Sequence, residues 1–164
     1  ERGRRGPKRG PADDGPPAKR SERHYTPLQN TEIIRDLEDM KALIKKPGAQ
    51  IVDARPAGRF EGRDAEPRAG LRKGHIPGSK NIPSQALLMP DGTFKSAEDL
   101  AALFKAANID VTRPVVTTCG SGVTASMLAL ALAVLGQTNA AVYDGSWAEW
   151  GGDTSLPIET GPAG

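Results

Sequence analysis

The chain is poor in the side chains that carry most redox, metal and acid–base chemistry. It holds one cysteine and two histidines among 164 residues. A single cysteine closes no internal disulfide, so a reducing compartment suits it, with the mitochondrial matrix and the cytoplasm as the expected ones. One thiol and two imidazoles make a poor metal site. No apolar run reaches the ~20 residues that a membrane-spanning helix needs, so no span is expected. An excess of one charge is also missing from most of the chain. The formal net charge is +2, and the first 24 residues hold eight Arg or Lys against four Asp or Glu. Fourteen basic and sixteen acidic residues follow. The basic character therefore belongs to the front segment and says little about the fold.

What the chain does have falls into two parts. Residues 1–24 are rich in Arg, Gly and Pro and show no amphipathic period. Such a composition reads as a disordered tail or linker. It lacks the amphipathic, acid-poor character of a transit peptide. Two uses are open to it: a solvated linker, or an arm that lies on RNA or on an acidic surface of a larger assembly. Residues 25–160 carry the pattern of one folded domain.

Within that domain, residues 25–28 read as a short edge strand. Asn30 or Thr31 is placed to cap a helix running to about Lys46. Its apolar stripe would be Ile33, Ile34, Leu37, Met40, Leu43 and Ile44. Residues 49–54 read as a buried strand and 81–82 as a short one. Ser96 followed by Asp99 predicts a capped helix over 97–107. Residues 115–118 form a β-branched strand. Residues 123–135 form a helix candidate that is apolar all round, which predicts burial in a core. Residues 140–143 read as a last strand. Helices alternating with short strands predict an α/β fold, a mostly parallel sheet of about five strands with helices on both faces. Ligands of such sheets sit at the carboxyl ends of strands.

Cys119 lies at one of those ends. It stands between the strand and the first turn of the apolar helix. Unpaired N–H groups and the positive end of the helix dipole favour an anion there, and a thiolate is such an anion. Gly120 and Gly122 let the backbone curl so that N–H groups converge. Ser121 and Thr124 add hydroxyls able to hydrogen-bond a substrate oxygen or sulfur. A cysteine-dependent phosphatase would place an arginine at position 125 to grip the phosphoryl oxygens. Ala125 stands there, which argues against phosphate-ester hydrolysis. These features make Cys119 the candidate nucleophile.

The run from Cys119 to Ala125 resembles the active loop of the rhodanese-fold sulfurtransferases, in the branch that uses mercaptopyruvate. Other segments carry the same resemblance. Val52-Asp53-Ala54-Arg55 is similar to the family's strand end. Gly58-Arg59-Phe60 and Glu66-Pro67-Arg68 resemble its substrate-side segments. Gly74-His75-Ile76-Pro77-Gly78-Ser79 and Tyr143-Asp144-Gly145-Ser146-Trp147-Ala148-Glu149-Trp150 resemble its two signature stretches. In order and spacing the resemblance covers residues 25–158.

The resemblance implies a rhodanese fold and a persulfide mechanism. Cys119 would take sulfane sulfur from a small-molecule donor and pass it to cyanide or to a thiol such as thioredoxin or glutathione. It implies no cofactor. Arg59 and Arg68 would bind the donor's carboxylate and keto group, a task that guanidinium forks suit. Gly120, Gly122, Val123 and Thr124 would cradle the donor, and Ser121 would join a proton relay. Uncharged Gly120 and Ser121 favour mercaptopyruvate over the doubly charged thiosulfate. His75, Asp53 and Arg55 are expected to be structural, and Trp147 and Trp150 to be packing. Family members of this branch have two rhodanese domains, and the first supplies an Asp and a His to the relay. The chain resembles only the second. It is expected to be a fragment of a two-domain enzyme, a single-domain sulfurtransferase with an open site, or a structural subunit anchored by its tail.

Overall fold

The computed structural model describes residues 31–164. The tail of residues 1–24 and the edge strand expected at 25–28 lie outside the described residues. The sheet has five strands: β1 (Ile34–Arg35), β2 (Gln50–Asp53), β3 (Lys80–Asn81), β4 (Val115–Thr118) and β5 (Ala141–Tyr143). Their order across the sheet is β1-β5-β4-β2-β3, and every pairing is parallel. Five helices accompany them: α1 (Leu37–Lys45), α2 (Ala57–Phe60), α3 (Ala97–Ala106), α4 (Ala125–Val134) and α5 (Ser146–Trp150).

Strand alternation divides the core between the two faces. Val52 and Val115 point to the face covered by α3 and α4, where Leu100, Phe104, Leu128 and Leu132 pack. Ile51 and Val116 point to the opposite face, where Met40 of α1 and Trp147 and Trp150 of α5 pack. The expected α/β sheet with helices on both faces is therefore observed.

Two local expectations are corrected. The first helix does not start near residue 31. Asp36 caps it, its side chain accepting from the Asp39 N–H while the Asp39 carboxylate accepts from the Asp36 N–H. That reciprocal box outcompetes Asn30 or Thr31 as a start. Residues 34–35 instead pair with β5, so Ile33 and Ile34 leave the helical stripe and are exposed. The apolar helix, likewise, is not buried all round. It starts at Ala125 and buries only Ala125, Leu128, Ala131 and Leu132. Val123, Leu130 and Val134 are exposed, because α4 has the sheet on one side only. The remaining boundaries agree to within about two residues, as helix ends generally do.

The topology determines where a site can form. β3 lies on one side of β2, and the chain then crosses back to lay β4 on the other. The carboxyl ends of β2 and β4 therefore flank a topological switch point, where a crevice opens. Asp53 and Thr118 are register partners there, and the Ala54 N–H donates to the Thr118 carbonyl at 2.9 Å. The residues just beyond, Ala54 and Cys119, both line a cavity of about 250 Å³.

Candidate active site

Cys119 follows directly on β4 and is 1% exposed. Burial pushes its thiol pKa up. Hydrogen bonds from the Thr124 hydroxyl and from the N–H groups of Ser121, Ala125 and Thr124 outweigh that effect, so the thiol lies below its ordinary range. The loop thus wraps donors around one sulfur, as hydrogen bonding to the charged form requires.

The two loop glycines serve different ends. Gly122 has φ +85°, and a Cβ on it would stand 2.9 Å from an Asp144 carboxylate oxygen. It makes the turn and packs behind the loop, and it is not one of the cavity-lining residues. Gly120 has an ordinary φ, but a Cβ there would lie 3.1 Å from Nη2 of Arg59. Its bareness gives room for a guanidinium arriving from α2.

The start of α5 holds the loop from below. The Trp147 N–H donates to the Cys119 carbonyl at 2.9 Å, and the Ala148 N–H donates to the Gly120 carbonyl at 3.0 Å. Ser146 is fully buried with φ 51°. Its hydroxyl accepts from the Cys119 N–H at 3.2 Å and donates to the Tyr143 carbonyl at 2.8 Å. It stands 4.0 Å from the Cys119 sulfur. Sequence reasoning passed over Ser146. Its only signal was its place within the 143–150 stretch.

A chain of buried charges forms the opposite wall. Asp53 accepts from Nε and Nη2 of Arg55 at 2.9 and 2.7 Å. Arg55 donates onward to Glu66 at 2.8 Å, and its guanidinium lies 4.3 Å above the Trp147 ring. Glu66 also accepts from Nη2 of Arg59 at 2.5 Å and from its Nε at 3.2 Å. Arg55, Arg59, Glu66 and Arg68 all line the cavity. Arg68 is exposed and has no ion pair among the described residues. Glu66 and Ser84 are lining residues that sequence reasoning did not single out.

Cys119, Gly120, Ser121, Val123, Thr124, Arg59 and Arg68 all come together around this cavity. Ser121 and Val123 are exposed at its mouth. His75 does not line it. His75 stacks on Phe60 with ring centroids 3.8 Å apart, and its Nδ1 is 2.9 Å from the Phe60 carbonyl, a structural placement. Among the described residues no cluster of His, Cys, Asp and Glu could hold a metal.

The rhodanese-like domain model matches residues 36–153. The chain belongs to the rhodanese-like family. Over 130 residues this rhodanese domain is 43% identical to the 3-mercaptopyruvate sulfurtransferase of Escherichia coli, a match covering 79% of the chain and 46% of the relative. Over 118 residues it is 47% identical to the 3-mercaptopyruvate sulfurtransferase of mouse, covering 72% of the chain and 40% of the relative. The chain thus spans about half the length of the curated relatives it matches. Among solved structures it resembles the sub-stoichiometric sulfur transferase subunit of yeast mitochondrial complex I, with a TM-score of 0.69 and 40% identity. That match covers 78% of this chain and 46% of the other. No helix among the described residues is long and apolar enough to cross a membrane.

Proposed function

We propose that this rhodanese domain carries sulfur on Cys119, taking it from 3-mercaptopyruvate and, less readily, from thiosulfate. The observation that carries the reading is the Cys119 thiol, lowered by the loop donors, facing Arg59 and Arg68 across one cavity. A guanidinium pair suits a small 2-keto carboxylate, binding it at both polar ends. The names of the matching relatives support the same donor.

The reaction follows from the parts. Thr124 and the N–H groups of Ser121, Thr124 and Ala125 favour the thiolate of Cys119. Arg59 and Arg68 aim the donor's carboxylate and keto oxygen so that its sulfur meets Cys119. The thiolate attacks that sulfur. A sulfur–sulfur bond forms and the donor's carbon–sulfur bond breaks. The electron pair stays on carbon as the pyruvate enolate, whose negative oxygen faces the arginines. A proton then reaches that carbon and pyruvate leaves. Ser121, exposed beside the cavity, relays the proton in this reading. The same loop N–H groups hold the persulfide. An acceptor thiolate, from thioredoxin or glutathione, attacks the outer sulfur and releases Cys119 as thiolate. Cyanide would leave as thiocyanate. A reducing compartment, mitochondrial matrix or cytoplasm, keeps both thiols available.

Residues 25–160 are proposed as one rhodanese domain and residues 1–24 as a tail or linker. A second reading is favoured by one observation, that a similar yeast protein is a complex I subunit. In it the domain is a structural member of an assembly, held by its basic tail on RNA or an acidic protein surface.

The test is direct. The protein is incubated with 3-mercaptopyruvate, and intact mass and cyanide-dependent thiocyanate are measured. The expected result is the mass of one added sulfur atom, absent in Cys119→Ser. No added sulfur sinks the enzymatic reading. Gel filtration of native extract tests the assembly reading, which elution only as a small free protein would overturn.

A further inference from the structure

We infer that Glu66 sets the charge of the donor that this site accepts. Its carboxylate neutralises Arg59 and leaves Arg68 as the one lining guanidinium without an acidic partner among the described residues. The inference rests on the sulfurtransferase reading above and names a specificity-determining residue within it.

Glu66 is a cavity-lining residue whose side chain is only 1% exposed. It lies between two guanidiniums, with Arg55 at 2.8 Å and Arg59 at 2.5 Å. Arg55 is already matched by Asp53 through Nε and Nη2. The Glu66 charge therefore balances Arg59. Of the three lining arginines, Arg55, Arg59 and Arg68, only Arg68 has no acidic partner among the described residues. A monoanion with a neutral keto oxygen matches one free guanidinium and one half-spent one. A dianion needs two free cations or leaves a negative charge uncompensated in a partly buried wall.

Position also depends on Glu66. It accepts from Nε and Nη2 of Arg59, which leaves Nη1 as the guanidinium nitrogen not bonded to it. The same Nη2 stands against Gly120. Glu66 thus turns the fork toward the loop while lowering its pull on a second negative charge.

The test compares wild type and Glu66→Gln, which keeps the shape and removes the charge. Both are assayed with 3-mercaptopyruvate and with thiosulfate. The expected result is a rise of at least tenfold in the thiosulfate to mercaptopyruvate ratio of kcat/KM, carried by KM for thiosulfate. Adding Arg59→Gln to Glu66→Gln should return the ratio toward wild type. An unchanged ratio, or equal losses for both donors, overturns the inference and leaves Glu66 a structural ion-pair partner.

A second measurement on wild type needs neither sulfur transfer nor a folded variant. Pyruvate, a monoanion, and sulfate, a dianion, are compared at equal ionic strength for protection of Cys119 against iodoacetamide. Pyruvate should protect better. Equal or better protection by sulfate overturns the inference. Wild type that loads sulfur from neither donor defeats the sulfurtransferase reading instead, and the protection ratio then decides the role of Glu66 alone.

Discussion

A thiol as buried as Cys119 would by burial alone stay protonated at neutral pH. The loop more than offsets the effect of burial with the Thr124 hydroxyl and three backbone N–H groups, which bring the pKa below its ordinary value. Alkylation of Cys119 by iodoacetamide should therefore rise with pH around a midpoint below that of the same thiol in the unfolded chain. Thr124→Val removes the largest lowering contribution and should move that midpoint upward. A variant that titrates with wild type would show that backbone donors alone hold the thiolate. The sign for stability follows from the same shift. Between the folded midpoint and that of the unfolded thiol, the unfolded chain binds more protons, so this contribution grows with pH there and is lost as pH falls through the folded value. At this scale much was legible. A lone cysteine at a strand end before an apolar run announces itself, as do its flanking glycines. Ser146 and Glu66 did not, because a serine beside a tryptophan and a glutamate before a proline have many ordinary uses. Only the fold brings them, 27 and 53 positions away in the chain, to the cysteine loop.

At the scale of elements, β2, β4 and β5 were legible, and β1 and the helix starts less so. β2 and β4 are short β-branched or apolar runs buried on both faces, and buried parallel strands look like that in sequence. The start of α1 was misplaced because Ile33 and Ile34 continue a helical stripe. The competing signal, Asp36 with Asp39, is weaker by eye but satisfies two backbone N–H groups at once. Asp36→Ala should cost about 1 kcal/mol, read as a lower urea midpoint with an unchanged slope. No change would mean that packing of Met40, rather than the cap, sets where the helix begins. The exposed side of α4 was illegible for another reason. Composition gives little direction when every residue but Ser126 is apolar, so only the placement of the sheet tells Leu128 from Leu130.

The whole molecule is tied together by an arginine far from the chemistry in sequence. α5 has five residues, too few to be stable by itself. Its first turn holds the Cys119 and Gly120 carbonyls. Its last turn, like any helix end, leaves carbonyls without partners. Arg72 supplies them. Its guanidinium donates to the carbonyls of Trp150, Gly151, Asp153 and Leu156 at 2.5–3.1 Å. The Trp147 indole N–H donates back to the Arg72 carbonyl at 2.9 Å. One side chain thus fixes the far end of the element whose near end carries the cysteine loop. Arg72→Ala removes the guanidinium from the Trp150 and Leu156 carbonyls in a part-buried place, while the Gly151 and Asp153 carbonyls keep the backbone N–H groups of residue 72 and Leu156. Several charge-assisted bonds are lost together, so the cost should be about 3 kcal/mol, or a fall in Tm of about 10 °C. Arg72→Lys keeps the charge at the helix end but cannot fork across four carbonyls, and should fall between the two. Calorimetry of the three proteins checks the order. If α5 transmits the loss, Arg72→Ala should also load sulfur onto Cys119 more slowly at temperatures well below its own melting point. An unchanged loading rate beside a lowered Tm would separate the two ends of α5 and place the loop's support in Ser146 alone.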